Sequence, residues 1–143
     1  MSIRSFGLVV GSLVCAAVVG TSFAGKPERD RVAELKPKVA AAESAAKAAC
    51  GCAAKINVKW DSFAKADDMF RVPETLDDVV AASKTQCTNA DNKKAMCKGV
   101  TGYEIEYSKE GGSATLKGKT IVLTTSDMGH PGDHLITAIV EKF

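Results

Sequence analysis

The chain has 143 residues, a net charge of +2 and a hydrophobic share of 45%. The near-neutral balance excludes the strongly basic surface that a nucleic-acid partner requires, and the length fits one domain.

Residues 1–24 have the layout of a secretory signal peptide. Arg4 gives a positive start, residues 6–19 form an almost unbroken apolar run, and small residues favour cleavage after Ala24. The run is shorter than the about 20 apolar residues that a transmembrane helix usually needs. We therefore predict that residues 25–143 form an exported, disulfide-stapled domain without a further membrane span, in a bacterial periplasm or in the extracellular space.

The next segments predict a helix and a strand. Apolar residues spaced alternately by three and four indicate a helix over residues 28–49. Pro37 should either kink this helix or mark its true start. In residues 55–61, polar and apolar residues alternate, which predicts a strand that buries Trp60 and the two apolar positions before it.

The middle of the chain predicts a second helix, which ends near Cys87. Thr75 and Asp78 resemble the capping box at a helix start. Residues 88–99 are polar and predict a loop or a short helical turn.

The last third predicts two strands and a terminal helix. Residues 103–107 alternate clearly, residues 109–113 are typical of a hairpin turn, and residues 114–125 form a second strand. A bulge or tight turn could break that strand at residues 117–119. The apolar pattern of residues 135–143 is that of an amphipathic helix.

The predicted order is therefore α-β-α-β-β-α. Such an order closes naturally as an α+β two-layer sandwich. We expect a small, mainly antiparallel sheet of three or four strands with the helices packed on one face.

The mature chain contains four cysteines, namely Cys50, Cys52, Cys87 and Cys97. An even number in an exported domain predicts two disulfides. A bond between Cys50 and Cys52 would close a small, strained ring, which leaves two crossing patterns. Cys52 lies next to the strand that precedes the helix ending at Cys87. We therefore favour the pairs Cys50–Cys97 and Cys52–Cys87, while the opposite crossing stays open.

Two other uses of these cysteines stay open. Cys50 and Cys52, one glycine apart, could serve a thiol oxidoreductase, although a helix C-terminus disfavours the thiolate that this chemistry needs. The four cysteines could bind a metal, but gaps of one and nine residues depart from the usual zinc-knuckle spacing. If Cys50 and Cys52 anchor two disulfides, Gly51 has a simple role: it lets the chain turn from helix into strand so that each cysteine points to a different partner.

Both histidines fall in one short segment near the C-terminus. Asp127, His130, Asp133 and His134 offer the nitrogen and oxygen ligands that zinc or copper binds. If Pro131 opened the last helix, the two histidines would lie on the same side. A periplasmic metal-binding protein is therefore an alternative function.

Residues 127–131, Asp-Met-Gly-His-Pro, resemble the Asp-x-x-His-Pro block of SGNH-type (GDSL) esterases. In that family the Asp and His complete a serine triad. The family also has a Gly-Asp-Ser block after its first strand and alternating strands and helices, both of which this sequence lacks. We therefore predict no serine hydrolase from this segment.

The remaining features favour a non-catalytic binding or envelope-associated domain whose partner is an unknown protein or an envelope component. Residues 61–73 are one candidate surface, because Phe63, Met69 and Phe70 lie in an otherwise polar stretch. Such apolar loop residues also form satellite cores in many proteins. The sequence itself does not decide between these roles.

Overall fold

The computed structural model describes residues 25–52 and 54–142, so the predicted signal peptide lies outside the described part of the chain. The helices are α1 (Lys26–Cys50), α2 (Val72–Gln86), α3 (Ala90–Gly99) and α4 (Asp133–Val140). The strands are β1 (Lys55–Val58), β2 (Gly102–Tyr107), β3 (Ser113–Lys117) and β4 (Thr120–Thr125). Short 3-10 turns occupy Trp60–Ser62 and Asp67–Met69. The α+β class is confirmed. Within these ranges, no helix is both long and apolar enough to cross a membrane.

The four strands form one mixed sheet in the order β1-β2-β4-β3. The pairs β1/β2 and β2/β4 are parallel, and β3/β4 is antiparallel, which corrects our expectation of a mainly antiparallel sheet. Residues 109–113 do not form a hairpin turn, because β4 lies between β2 and β3. The consecutive apolar residues 121–123 make β4 suited to this buried, central position. The tight turn instead falls at residues 118–119, where the sequence predicted a break.

The sheet buries one face and leaves the other polar. Tyr103 and Ile105 on β2 alternate with Glu104 and Glu106 and align with apolar residues of both neighbouring strands. Helices α1, α2 and α4 contact the sheet. The predicted two-layer arrangement, with helices on one face, is therefore present.

Two helices differ from their predicted form. Helix α1 is continuous through Pro37 and begins at Lys26. The segment predicted as a loop or short turn forms the ten-residue helix α3. Asn89 caps α3, since its side-chain oxygen accepts the N–H groups of Asp91 (2.8 Å) and Asn92 (3.2 Å). The asparagine at the N-cap is the sequence signal for this helix.

Candidate functional site

The four cysteines form two disulfides, Cys50–Cys87 and Cys52–Cys97. The prediction of two disulfides is confirmed, but the pairing that we favoured is wrong. Cys87 directly follows α2, and α2 packs against α1, so Cys87 meets the last residue of α1. Helix α3 then brings Cys97 back to Cys52. The expected pairing rested on the strand after Cys52, whereas the packing between α1 and α2 determines the actual pairing.

Gly51 separates the two sulfur atoms of the Cys-Gly-Cys segment. Its φ of +71° is left-handed, and its N–H donates to the Lys47 carbonyl (2.7 Å), which ends α1. Cys50 therefore faces the buried end of α2, whereas Cys52 faces α3. Because each sulfur is bonded to a different helix segment, Cys50 and Cys52 form no dithiol here. The cysteines join α1, α2 and α3.

The four predicted metal ligands do not converge. Asp133 and His134 are exposed on the first turn of α4, and Asp127 is exposed beside Tyr107. His130 is half-buried and points toward α2. In residues 25–52 and 54–142, no three His, Cys, Asp or Glu side chains are grouped so that they could hold a metal ion.

His130 is paired with Asp78, a residue that the sequence analysis assigned to a helix cap. Its Nδ1–H donates to Asp78 Oδ2, which also accepts the N–H of Gly132 (3.0 Å). The capping-box prediction is therefore wrong: α2 begins at Val72, and the Thr75 hydroxyl donates to the Arg71 carbonyl (3.1 Å). His130 and Asp78 are 52 residues apart in the sequence, so no local sequence pattern indicates that they pair.

The backbone of the His130 loop is held from a second side. An ideal Cβ on Gly112 would lie 2.3 Å from the His130 carbonyl atoms and 2.8 Å from the nitrogen of Pro131. Only glycine allows so close an approach. The loop before α4 is thus fixed by α2 and by the segment before β3, which gives His130 a structural role.

We expect His130→Ala to lower the free energy of unfolding by about 1–2 kcal/mol, because it removes a charge-assisted hydrogen bond and leaves part of Asp78 unpartnered. His134→Ala is the matched control, since His134 is exposed, and we expect a change within about 0.5 kcal/mol. Urea unfolding followed by circular dichroism measures both. Equal effects of the two substitutions would contradict the structural role of His130.

The apolar residues of the candidate surface at residues 61–73 are partly buried in the core and partly exposed. Phe63 and Met69 are 3% and 1% exposed and belong to the core, whereas Phe70 is 43% exposed. The Phe63 ring packs between Trp60 and Tyr107, at centroid distances of 6.5 and 6.0 Å. The apolar loop residues are therefore mainly a satellite core, and Trp60 lies at its outer side.

A groove runs between the first half of α1 and the end of β1, and we call it the α1–β1 groove. Its volume of about 950 Å³ is within the range of ligand sites. Its apolar lining consists of Val32, Ala33, Pro37, Val58, Trp60 and Met69. No sequence pattern indicated this site, because periodicity placed Trp60 and the apolar face of α1 in the core.

Charged residues of both signs surround the groove. Lys59 is already paired with Glu104 (2.8 Å) and Glu106 (3.1 Å), and hydrogen bonds to these two carboxylates raise the pKa of its ammonium. Arg29 and Lys36 balance Glu28 and Asp61 among the other lining residues. The groove thus combines an apolar lining with no strong excess of one charge.

Comparisons with known proteins assign no family to this chain. No family model matches it, and no match was found among curated proteins or solved structures. A function must therefore be inferred from the groove, the disulfides and the residues around them.

Proposed function

We propose that residues 25–143 form an exported, disulfide-stabilised binding domain without catalytic activity. We further propose that the α1–β1 groove is its binding site and that the partner is a protein of the cell envelope or of the extracellular space. The groove is the observation on which this proposal rests. It is concave, lined largely by apolar side chains and bordered by a few polar groups, as binding sites commonly are.

Export is supported by two independent features. Residues 1–24 have the pattern of a cleaved signal peptide, and the domain carries two disulfides. Disulfides persist in oxidising compartments such as the periplasm, the secretory pathway and the cell exterior. The N-terminal sequence of protein recovered from the envelope fraction or the medium should begin at Gly25. An N-terminus at Met1 would contradict cleavage.

A binding role is supported by the chemistry of the groove. Val32, Pro37 and Trp60 supply apolar contact area, and the aromatic ring can contribute strongly to recognition. The two histidines belong to the loop before α4 and to α4, and His130 is engaged by Asp78. Catalysis at the groove would thus lack an imidazole from either residue.

Photocrosslinking tests the proposed site. A photoreactive benzoylphenylalanine is placed at Ala33, which is exposed and lines the groove, or at Ala40, which is exposed on the same helix outside it. In cells that naturally produce the protein, we expect a discrete crosslinked protein from position 33 and none from position 40. Mass spectrometry of the product identifies the partner.

Three results would contradict the proposal. The same crosslinks from both positions would show contact without a specific site, and no crosslink from either position would remove the groove as the binding surface. Turnover of ester, peptide or glycoside substrates by the purified domain would contradict the non-catalytic assignment.

A further inference from the structure

We infer that the α1–β1 groove binds an extended peptide segment, which adds as a further strand to the outer edge of β1. This inference rests on the proposed function and specifies the class of partner. Strand addition needs free main-chain groups at a sheet edge and adjacent space for alternate side chains.

The hydrogen bonds of β1 show which of its residues face outward. The N–H groups of Lys55 and Lys59 donate to the carbonyls of Thr101 (3.3 Å) and Ile105 (2.9 Å), on the side of β2. In a strand, successive backbone groups alternate in direction. The N–H and C=O groups at the even positions, residues 56 and 58, therefore point away from β2. Since β1 is an end strand of the sheet, these groups form its outer edge.

Only one of the two outward-facing residues of this edge has a hydrogen-bond partner within the described residues. The N–H of Ile56 donates to Glu43 Oε1 of α1 at 2.7 Å, so a side chain takes the place of a neighbouring strand there. Val58 lies one pair further along and lines the groove, with 6% of the residue exposed. Its outward N–H and C=O thus offer one donor and one acceptor to an incoming chain.

The opposite wall of the groove offers acceptors. Pro37 has no N–H, so the carbonyl of Ala33, four residues earlier, lacks its intrahelical donor. Both residues line the groove. Glu28, a half-buried residue of the same wall, adds a carboxylate. A peptide with its own N–H groups can satisfy such acceptors, whereas an alkyl chain would leave them unpaired.

The dimensions set the length of the peptide. From Glu28 to Pro37 the helical wall is about 14 Å long at 1.5 Å per residue, which corresponds to about four residues of extended chain. Alternate side chains of such a segment would meet Val32, Pro37 and Trp60. The balanced charges around the groove favour a segment that is uncharged and apolar at every second residue.

Trp60 provides the measurement, because it is the only tryptophan of the chain and lines the groove. The probe is an acetylated and amidated pentapeptide, Thr-Val-Thr-Val-Thr, titrated into purified residues 25–143 with both disulfides intact. We expect a saturable change in Trp60 emission. Ala33→Phe should fill the groove and weaken binding about tenfold or more, whereas Ala40→Phe on the same helix should bind as the wild type does.

Two N-methylated forms of the peptide distinguish strand addition from apolar contact. One carries methyl groups on its odd-numbered amides and the other on its even-numbered amides, so that only one form blocks the amides that face β1. We expect the form methylated on the amides that face β1 to lose about tenfold or more in affinity, and the other form, which loses only hydrogen bonds to the α1 wall, to lose less. In amide NMR spectra, the Val58 resonance should shift on binding, whereas that of Ile56, held by Glu43, should stay in place.

Equal binding of the two methylated forms would overturn strand addition and leave the groove as a binding site. Absence of peptide binding would overturn the inference as well. So would a change in Trp60 emission that an aliphatic amphiphile such as decanoate causes and the peptide does not. None of these results decides the proposed function, because photocrosslinking at Ala33 tests that function independently of any peptide.

Discussion

Replacement of all four bonded cysteines by alanine should leave the domain largely unfolded at 25 °C. Each disulfide closes a long loop, with sequence separations of 37 and 45 residues. In the loop-entropy model, the first such closure stabilises by about 4 kcal/mol. A domain of this size has a total stability of about 5–15 kcal/mol, so the loss of both bonds removes much or all of it.

The effects of removing the two bonds should not be additive, because each bond alone should cost less than half of what both together cost. With one disulfide intact, the other closes only the short segments between Cys50 and Cys52 and between Cys87 and Cys97. This ring is about 12 residues long and is worth about 3 kcal/mol in the same model. Each double substitution should therefore cost about 3 kcal/mol and the fourfold substitution about 7 kcal/mol, more than twice the effect of either pair removed alone.

Packing makes the two pairs differ. Cys50 is 3% exposed, and the Met96 sulfur lies 3.8 Å from its sulfur and 3.6 Å from that of Cys87. Cys52 is only half-buried. The Cys50→Ala/Cys87→Ala variant should thus be the less stable of the two because it also leaves a cavity.

Urea unfolding without reductant measures all three variants, and mass spectrometry after alkylation confirms the remaining disulfide in each paired variant. A fourfold variant within about 2 kcal/mol of the wild type would contradict the structural role of the disulfides. Equal losses at both pairs would contradict only the added packing of Cys50.

The sequence predicted those parts of the fold that depend on local patterns. The alternation in β1 and β2, the inner face of α2 and the amphipathic α4 each follow from side-chain period alone. The order of strands does not. It depends on which strands lie in the interior of the sheet. Strand β4, which contains residues 121–123, lies between β2 and β3, although the turn-like residues 109–113 predicted that β2 and β3 would pair as a hairpin.

The candidate site was harder to predict, because its parts come from distant segments. Asp78 serves as the partner of His130 rather than as a helix cap, and a carboxylate in the first turns of a helix fits either role. The α1–β1 groove forms where the first half of α1 lies beside the end of the edge strand β1. The alternation of polar and apolar residues assigned Trp60 to the core. In the structure, Phe63 packs against one side of Trp60, and Trp60 itself lines the groove.

Tyr103 should make the stability of the domain fall steeply in alkaline solution. The side chain is 1% exposed at the centre of the sheet, and burial raises the pKa of its hydroxyl to about 12, which the nearby Ser83 hydroxyl opposes only in part. That serine donates to the Val79 carbonyl (2.8 Å), and the Tyr103 hydroxyl has no partner with hydrogen-bond geometry among the described residues.

The direction of the pH effect follows from the two states. The unfolded chain releases the phenolic proton near pH 10, whereas the folded chain keeps it to about pH 12. Stability from the neutral phenol is therefore complete below pH 10 and is lost as the pH rises from 10 to 12, by about 1.4 kcal/mol per pH unit and about 2–3 kcal/mol in all.

Tyr103→Phe isolates this effect, because it removes the titrating hydroxyl and keeps the ring. At pH 7 we expect the variant to equal the wild type or exceed it by about 1 kcal/mol, since an unpartnered buried hydroxyl is lost. Its advantage should grow above pH 10. Urea unfolding from pH 8 to 11.5 measures the difference, with Tyr107→Phe as the control for the other tyrosine, which is less buried. Parallel pH profiles for Tyr103→Phe and the wild type would show that the Tyr103 hydroxyl is not buried in its neutral form.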